Sequence, residues 1–450
     1  CLGFNPACHG HPETGRLEYA PHPDPDGLMI VGSWMGPHAP YPVRDPAKPR
    51  RVGLQELFPM SMGSVFQASS DQEEMWSKFD LPYRPEMMIN LGANQIMSVG
   101  NKDDVAASLK RFKFIVSFDI FMTETSEFAD IVLPDRGYLE AVDSRSNFPF
   151  IFSLPAGMGE WCWPIRQPAV EPEGDRRLAA DVLIELADRV GVLGDLNAAY
   201  NAWLDLRSPY RLDTTRRYAY DEICDVDLKD KFGPDKGLDW FKEHGLIKWP
   251  KKPEEVYWRA FIDVRVPIYW EWMSDTWEKS SAIAKDHGLE IPKEFYSPLV
   301  NWLPCASHEC ERPGFDFYAF YYRDTLHSNS LTMENAWLDE AAQLDPFSYA
   351  IAINAEAGRT RGLKTGDTIR VENESGRSVE GKVRLTEAIH PEALGIGACA
   401  GHWAAALPTA QGKGVFFNNL LELDWEHSSP SNLTLDLCVK VTVSKVDSTG

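Results

Sequence analysis

Residues 86–134 read EMMINLGANQIMSVGNKDDVAASLKRFKFIVSFDIFMTETSEFADIVLP, and the order of textures in this stretch decides the fold. MMINL is an apolar run closed by Gly92 and Asn94, and it reads as a strand. DDVAASLKRF then places Val105, Leu109 and Phe112 at helical spacing, and FIVSFDIF is a second buried strand. From Thr123, TETSEF predicts a short helix and ADIVLP a third strand, stopped by Pro134. Strand, helix, strand within about 35 residues is a βαβ unit, whose parallel strands present ligands at their carboxyl ends. Asn94 and Asp119 both fall at such ends. The Asp119 carboxylate has two readings there. It can accept paired N–H groups from a guanine edge or bond a ribose hydroxyl, or it can cap the helix that follows.

Working outward, LAADVLIELADRV at 178–190 predicts an amphipathic helix with Asp175 ahead of it and a stop at Gly191. Residues 200–300 are rich in Trp and charge and broken by proline in KWPKKP and EIPKEFYSPLVNWLP, so they read as a connection wrapping the surface, their tryptophans packing. Beyond residue 315 the pattern turns to β. FDFYAFYY, SYAIAINAEA, DTIRVEN, GKVRLTE and CVKVTVSK are short apolar or alternating runs separated by TGD and ESGR, which predicts a small barrel. The first 60 residues are crowded with Pro, Gly and His, in HGHPETG and PHPDPDG, and predict an irregular segment that needs a surface to lie against.

The chain has 450 residues, 44% hydrophobic and 25% charged, which excludes disorder, collagen-like structure and a small disulfide scaffold. With 45 Lys and Arg against 67 Asp and Glu the net charge is −22, which repels phosphate backbones and anionic membranes and makes nucleic acid an unsuitable partner. A local basic pocket for an anionic cofactor stays compatible with that total. None of the eight cysteines has C-x-x-C spacing; Cys305 and Cys310, with His308 between them in PCASHEC, form the one close cluster carrying a histidine. No apolar run of about 18 residues predicts a transmembrane segment. The chain begins at Cys1 without signal-peptide features, which reads as a processed start, the later part of a longer polypeptide, or a split subunit, with a cytoplasmic location expected.

Two further loops carry side chains suited to binding. His327 and Ser328 follow a strand in RDTLHSNS, where a polar turn is the plain alternative. His402 and Trp403 follow the glycines of GIGACAGHW, where they can line a pocket or pack in the core.

Taken in order, LGAN, FIVSFDIFMTETSEFADIVLPDRGYLE, YYRDTLHSNSLTMENAWLDE, AIAINAEAGRTRGLKTGDTIRVENESG, AIHPEALGIGACAGHW, VFFNNLLE and LCVKVTV resemble the molybdopterin oxidoreductases of the dimethyl sulfoxide reductase type. The succession spans most of residues 86–445 and is more specific than any one motif. The resemblance implies a cofactor, bis(molybdopterin guanine dinucleotide) carrying molybdenum or tungsten, and an α/β Rossmann-like domain portion followed by a C-terminal six- or seven-stranded β-barrel. It implies 86–265 as the later half of the Rossmann-like domain and 316–450 as the molybdopterin dinucleotide-binding barrel, with 266–315 as a connection, while the Pro and Gly density of 1–85 predicts a docking or lid segment.

Carried over residue by residue, the resemblance puts Asn94 beside the cofactor and Asp119 on a guanine or its ribose, with Thr123 and Glu140 in the signature that leads to and follows ADIVLP. It puts Arg323, Thr325, His327 and Ser328 around pterin and phosphates, a pterin-facing Asn at Asn418 or Asn419, and Lys440 on the cofactor from the last strand. Arginine and lysine suit pyrophosphate, and Asn and Asp suit heterocycles rich in donors and acceptors. His402 and Trp403 become candidates for the substrate funnel. The family's iron–sulfur cysteines and metal-ligating residue lie before the matched region, so this chain is expected to supply no metal ligand. An N-terminal half of the catalytic subunit and an iron–sulfur electron-transfer subunit are the expected partners, and a small molecule the substrate.

Two departures narrow the match: Ala179 stands where the family has a second acidic residue, and Ala141 follows Glu140 where some members have a basic one. Phenylacetyl-CoA:acceptor oxidoreductase-like members are the subfamily favoured. The rival readings are a cofactor-free structural homologue serving as scaffold in an electron-transfer complex, and a Trp-rich secreted carbohydrate-active protein with paired carboxylates.

Overall fold

The computed structural model describes residues 45–61, 77–82, 84–144, 160–250 and 269–446. Its strands in chain order are β1 (Met87–Leu91), β2 (Phe114–Asp119), β3 (Ile131–Pro134), β4 (Glu160–Pro164), β5 (Leu246–Pro250) and β6 (Phe317–Tyr322). They continue as β7 (Ala350–Asn354), β8 (Thr368–Asn373), β9 (Ser378–Thr386), β10 (Ala393–Gly397) and β11 (Cys438–Lys445). The chain divides into two compact units, one containing Leu133–Pro267, the other Pro42–Val132 with Ile268–Gly450.

In the first unit, β4 and β5 pair antiparallel, Trp163 opposite Ile247, and bury Trp163 and Ile165 with Phe241 and Leu228. Phe241 comes from the helix Leu238–His244 and Leu228 from the helix Tyr220–Phe232. The predicted amphipathic helix spans Ala179–Arg189 and stops before Gly191, which sits at positive φ. Its first turn is capped by Asp135, whose Oδ1 accepts the Ala179 N–H at 2.8 Å, whereas the expected Asp175 is exposed. The Trp-rich 200–300 region, expected as a connection wrapping the surface, carries three whole α-helices within its described part, because Ile223, Cys224, Asp227 and Leu228, and then Leu238 and Phe241, place buried residues at helical spacing between its prolines.

In the second unit, β1 and β2 pair in parallel, Met87 opposite Phe114 through Leu91 opposite Phe118, and β3 flanks β2. The intervening helix Lys102–Leu109 is capped by Asn101, whose side chain accepts the Asp104 N–H. It packs Val105 and Leu109 on Ile115 and on Leu423. Three strands are the extent of this sheet among the described residues.

The barrel is closed and six-stranded, in the order β10–β6–β11–β8–β9–β7. β10 is parallel to β6 and β7 parallel to β9, while the other four pairings are antiparallel. Period-two alternation turns Ile369 and Val371 of β8 inward onto Ile351, Ile353, Leu394, Ile396 and Val441. Closure leaves no unpaired edge.

Residues 86–132 thus belong with the barrel, not with 133–265 as the expected boundaries have it. The reason is polar as well as apolar. Asn101 Nδ2 donates to the Leu421 carbonyl at 3.0 Å, and Arg377 bridges Asp104 and Glu422, each at 3.1 Å. Residues 266–315, expected to connect, hold the 15-residue helix Trp272–Asp286, and its Met273 and Ala284 share a core with Val52, Leu54, Leu57, Phe58 and Phe79. Of the expected docking segment 1–85, residues 1–44, 62–76 and 83 lie outside the described residues, and 45–61 run as turns and bends into that same core. No helix among the described residues is long and apolar enough to cross a membrane.

The loop after β10 passes through Gly401 at φ +85° and Gly412 at φ +72°. A Cβ at Gly401 would meet the Phe416 backbone nitrogen at 2.3 Å, while one at Gly412 would meet nothing within 4 Å. Gly412→Ala should therefore lose only the left-handed penalty, about 1–2 kcal/mol. Gly401→Ala should lose more, because it must also displace backbone. Thermal unfolding of the two variants checks this, and equal midpoints would contradict it.

Candidate functional site

Glu124 is fully buried in the loop between β2 and β3. Its Oε1 accepts the N–H groups of Trp403 at 2.9 Å and Ala404 at 3.1 Å, and His402 Nδ1 donates to the carboxylate at 3.0 Å. Its Oε2 accepts Asn94 Nδ2 at 2.7 Å. Burial pushes this carboxyl up, but the hydrogen bond and charge of His402, with Asn94 and the Ala404 N–H, outweigh burial and hold it at about 2. Asn94 in turn accepts the Thr125 hydroxyl at 2.9 Å and starts the short helix Gln95–Ser98. His402 is 2% exposed, and its Nε2 is buried with no hydrogen-bond partner.

Beside this hub lies a cavity of about 220 Å³. Its walls are Arg323, Asn329 and Ser330 after β6, Cys399 and Ala400 after β10, Phe416–Asn418 and Leu421, and Met97–Val99 from the βαβ unit. The Arg323 guanidinium donates to the Ser328 carbonyl and approaches Cys399 Sγ at 3.5 Å, so it spans two of these walls. Burial pushes the Cys399 thiol up, against the charge of Arg323.

The expected residues separate clearly. Arg323 and Asn418 line the cavity, Asn418 donating from Nδ2 to the Met97 carbonyl at 2.9 Å. Asn419 turns the other way, donating to the Ser378 carbonyl at 3.1 Å and leaving its Oδ1 buried without a partner. His327 is buried, with Nε2 3.1 Å from the Tyr349 hydroxyl; Thr325 and Ser328 are exposed. Trp403 sets its ring edge-on to Phe416 at 5.4 Å. Lys440 lies over the Tyr318 ring, 3.6 Å from its centroid, and is not a lining residue. Asp119 is buried and engaged by its own loop: Oδ1 accepts the Ile120 and Phe121 N–H groups, and Oδ2 the Thr123 and Ser126 hydroxyls. Asp119 therefore closes a turn on its own loop, with Thr123 part of it, and does not cap the helix that follows: the short 3₁₀ turn Ser126–Phe128 has Thr125 at its N-cap and no side-chain cap.

Glu140 belongs to the other unit. The Gly137 N–H holds its carboxyl below the usual range against the effect of burial, with the Arg176 guanidinium adding to this. Cys305 Sγ lies 3.1 Å from His308 Nδ1, and the described residues contain no group of three or more His, Cys, Asp or Glu arranged to hold a metal ion.

Sequence reasoning missed Glu124. It stands between two threonines in an unremarkable polar loop, and its partner His402 is 278 residues away, so only the spatial closure of the barrel against the βαβ unit reveals the pair.

Residues 65–189 match the family described as molybdopterin oxidoreductase, and residues 317–431 the molydopterin dinucleotide binding domain. The chain belongs to the molybdopterin oxidoreductases of the dimethyl sulfoxide reductase type. It is 25% identical to the thiosulfate reductase molybdopterin-containing subunit of Salmonella typhimurium over 81% of this chain and 44% of the relative. It is 23% identical to the dimethyl sulfoxide reductase of Escherichia coli, over 71% of this chain and 37% of that one. In fold it resembles acetylene hydratase from Pelobacter acetylenicus, with a TM-score of 0.53, 16% identity, and coverage of 87% of this chain and 48% of that chain. The chain spans less than half the length of these relatives.

The depressed Glu124 carboxyl gives a signed prediction. Because its folded-state value lies near 2, below the ordinary 4.5, its contribution is complete above about pH 4.5 and is lost as pH falls toward 2. That contribution is roughly 3 kcal/mol. Glu124→Gln should be less stable than wild type at pH 7, and the difference should shrink between pH 4.5 and 2, as urea unfolding at a series of pH values will measure. A difference constant across that range would contradict the assignment.

Proposed function

We propose that this chain is the C-terminal portion of a molybdenum- or tungsten-dependent oxidoreductase and that the cavity at Arg323 and Asn418 takes one end of a molybdopterin guanine dinucleotide. The observation that carries this reading is the donor set. A guanidinium, the Asn329 and Asn418 amides and the Ser330 hydroxyl converge on one cavity, with the unpartnered His402 Nε2 and Asn419 Oδ1 in neighbouring segments. Such groups suit a pyrophosphate and a heterocycle rich in donors and acceptors. At about 220 Å³ the cavity is smaller than the ~300–1,000 Å³ of a complete small-molecule site, so it suits part of a large cofactor.

In this reading Arg323 bears on phosphate, Asn418 fixes a ring edge, and Glu124 holds His402 with Nδ1 protonated so that Nε2 faces inward unspent. When bound, the metal supplies two-electron redox chemistry, oxygen-atom transfer or hydroxylation. The chain's own residues bind and orient; the metal ligand and an iron–sulfur cluster come from an N-terminal half or a partner subunit. The shortfall in length against the relatives supports that division, as does the exposed apolar face of β1, where Met87, Ile89 and Leu91 stand uncovered although parallel sheets are ordinarily covered on both faces.

The saturated Asp119 carboxylate is the observation that favours the second reading, a cofactor-free scaffold in an electron-transfer complex. Metal and pterin analysis of the purified complex separates the two. Arg323→Ala and Asn418→Ala should each lower metal and pterin content by about tenfold, since a charge-assisted or buried hydrogen bond to a ligand is worth ~1–3 kcal/mol, with only a small drop in the melting temperature of the cofactor-free protein from the lost bonds to Ser328 and Met97. Full loading of both variants, or a wild-type complex free of pterin, would overturn the proposal.

A further inference from the structure

A chain of hydrogen bonds with Asp339 and His327 buried at its centre runs up to the cavity wall at Asn329. Lys413 Nζ donates to Asp339 Oδ2 at 2.6 Å, Gln343 Nε2 to the same oxygen at 2.7 Å, and the Tyr349 hydroxyl to Asp339 Oδ1 at 2.9 Å. His327 Nε2 lies 3.1 Å from the Tyr349 oxygen, and its Nδ1 3.4 Å from Thr332 Oγ1, which donates to the Asn329 carbonyl at 2.7 Å. Asp339 is 6% exposed and His327 1%. Burial pushes the Asp339 carboxyl up, but Lys413, Tyr349 and Gln343 hold it below the ordinary range, so it is an ionised acceptor. Tyr349 therefore spends its proton on Asp339 and must accept from His327.

The two ends of this chain belong to two different walls. His327 and Thr332 lie in the loop that carries Arg323, Asn329 and Ser330. Lys413 lies in the loop that carries Cys399 and His402, to which it is tied by the Gly401 N–H donating to its carbonyl at 2.7 Å and by the Gly412 N–H donating to the His402 carbonyl at 2.8 Å. We propose that Asp339 is a positioning residue that sets the gap between the two walls, holding the Arg323 loop through Tyr349 and His327 and the His402 loop through Lys413. What enters that gap rests on the reading of the cavity given above; the coupling of the walls does not.

The coupling predicts a pattern that general loosening cannot produce. In the full chain, hydrogen exchange of peptides covering 323–332 should accelerate about tenfold in Tyr349→Phe and that of 399–414 should not, because only the His327 arm is cut. Lys413→Met should do the reverse, Asp339→Asn should accelerate both, and Lys413→Arg should restore the wild-type rates. In the purified complex Asp339→Asn should lower metal and pterin content several-fold. Equal acceleration of both loops in every variant, or unchanged exchange in Asp339→Asn, would overturn the proposal. Full loading of Asp339→Asn alongside depleted Arg323→Ala would show that the gap does not govern binding, whereas full loading of both would refute the cavity reading and leave the exchange pattern to decide the coupling.

Discussion

A carboxylate with no exposure to solvent must be met by donors or not be ionised at all, and Glu124 is met by four groups from two distant parts of the chain. Asn94 comes from the turn after β1; His402 and the N–H groups of Trp403 and Ala404 come from the loop after β10. Separating those parts would strand a buried charge, which is costlier than losing a neutral hydrogen bond. The βαβ unit and the barrel therefore have one permitted arrangement, and the cavity walls are those that this arrangement brings together.

The barrel makes that arrangement rigid. Its six strands close on an apolar core of Ile, Leu and Val with Phe317 and Phe417, and because β6 and β10 are adjacent and parallel their following loops emerge side by side. Arg323 then spans to Cys399, and Arg377 ties the turn after β8 to Asp104 and Glu422. Function-bearing loops on a packed scaffold are the usual division of labour, and here the scaffold also fixes which of two adjacent asparagines faces the cavity.

The strands were legible because their cause is local: FIVSFD, AIAIN and TIRVEN carry apolar or alternating runs bounded by turn residues. The helix Ala179–Arg189 was legible for the same reason. The helical content of 200–300 was obscured by its prolines, which end elements without preventing helices between them. Asn418 and Asn419 were indistinguishable in sequence because the 3₁₀ turn Phe417–Leu420, which points them apart, is set by Phe417 and Leu420 packing into the barrel. Asp119 has two readings in sequence, a nucleotide contact or a helix cap, and only the fold shows that its own loop supplies its donors. Glu124 had no local signal, since its partners are created by tertiary closure alone.

The proposed guanine-bearing form of molybdopterin is tested most directly by the guanine nucleotide released on acid hydrolysis of the native complex, set against its molybdenum and tungsten. The native complex should release about two guanine nucleotides per metal. A complex that carries the metal with a pterin lacking guanine, or that releases no guanine nucleotide at all, would contradict it.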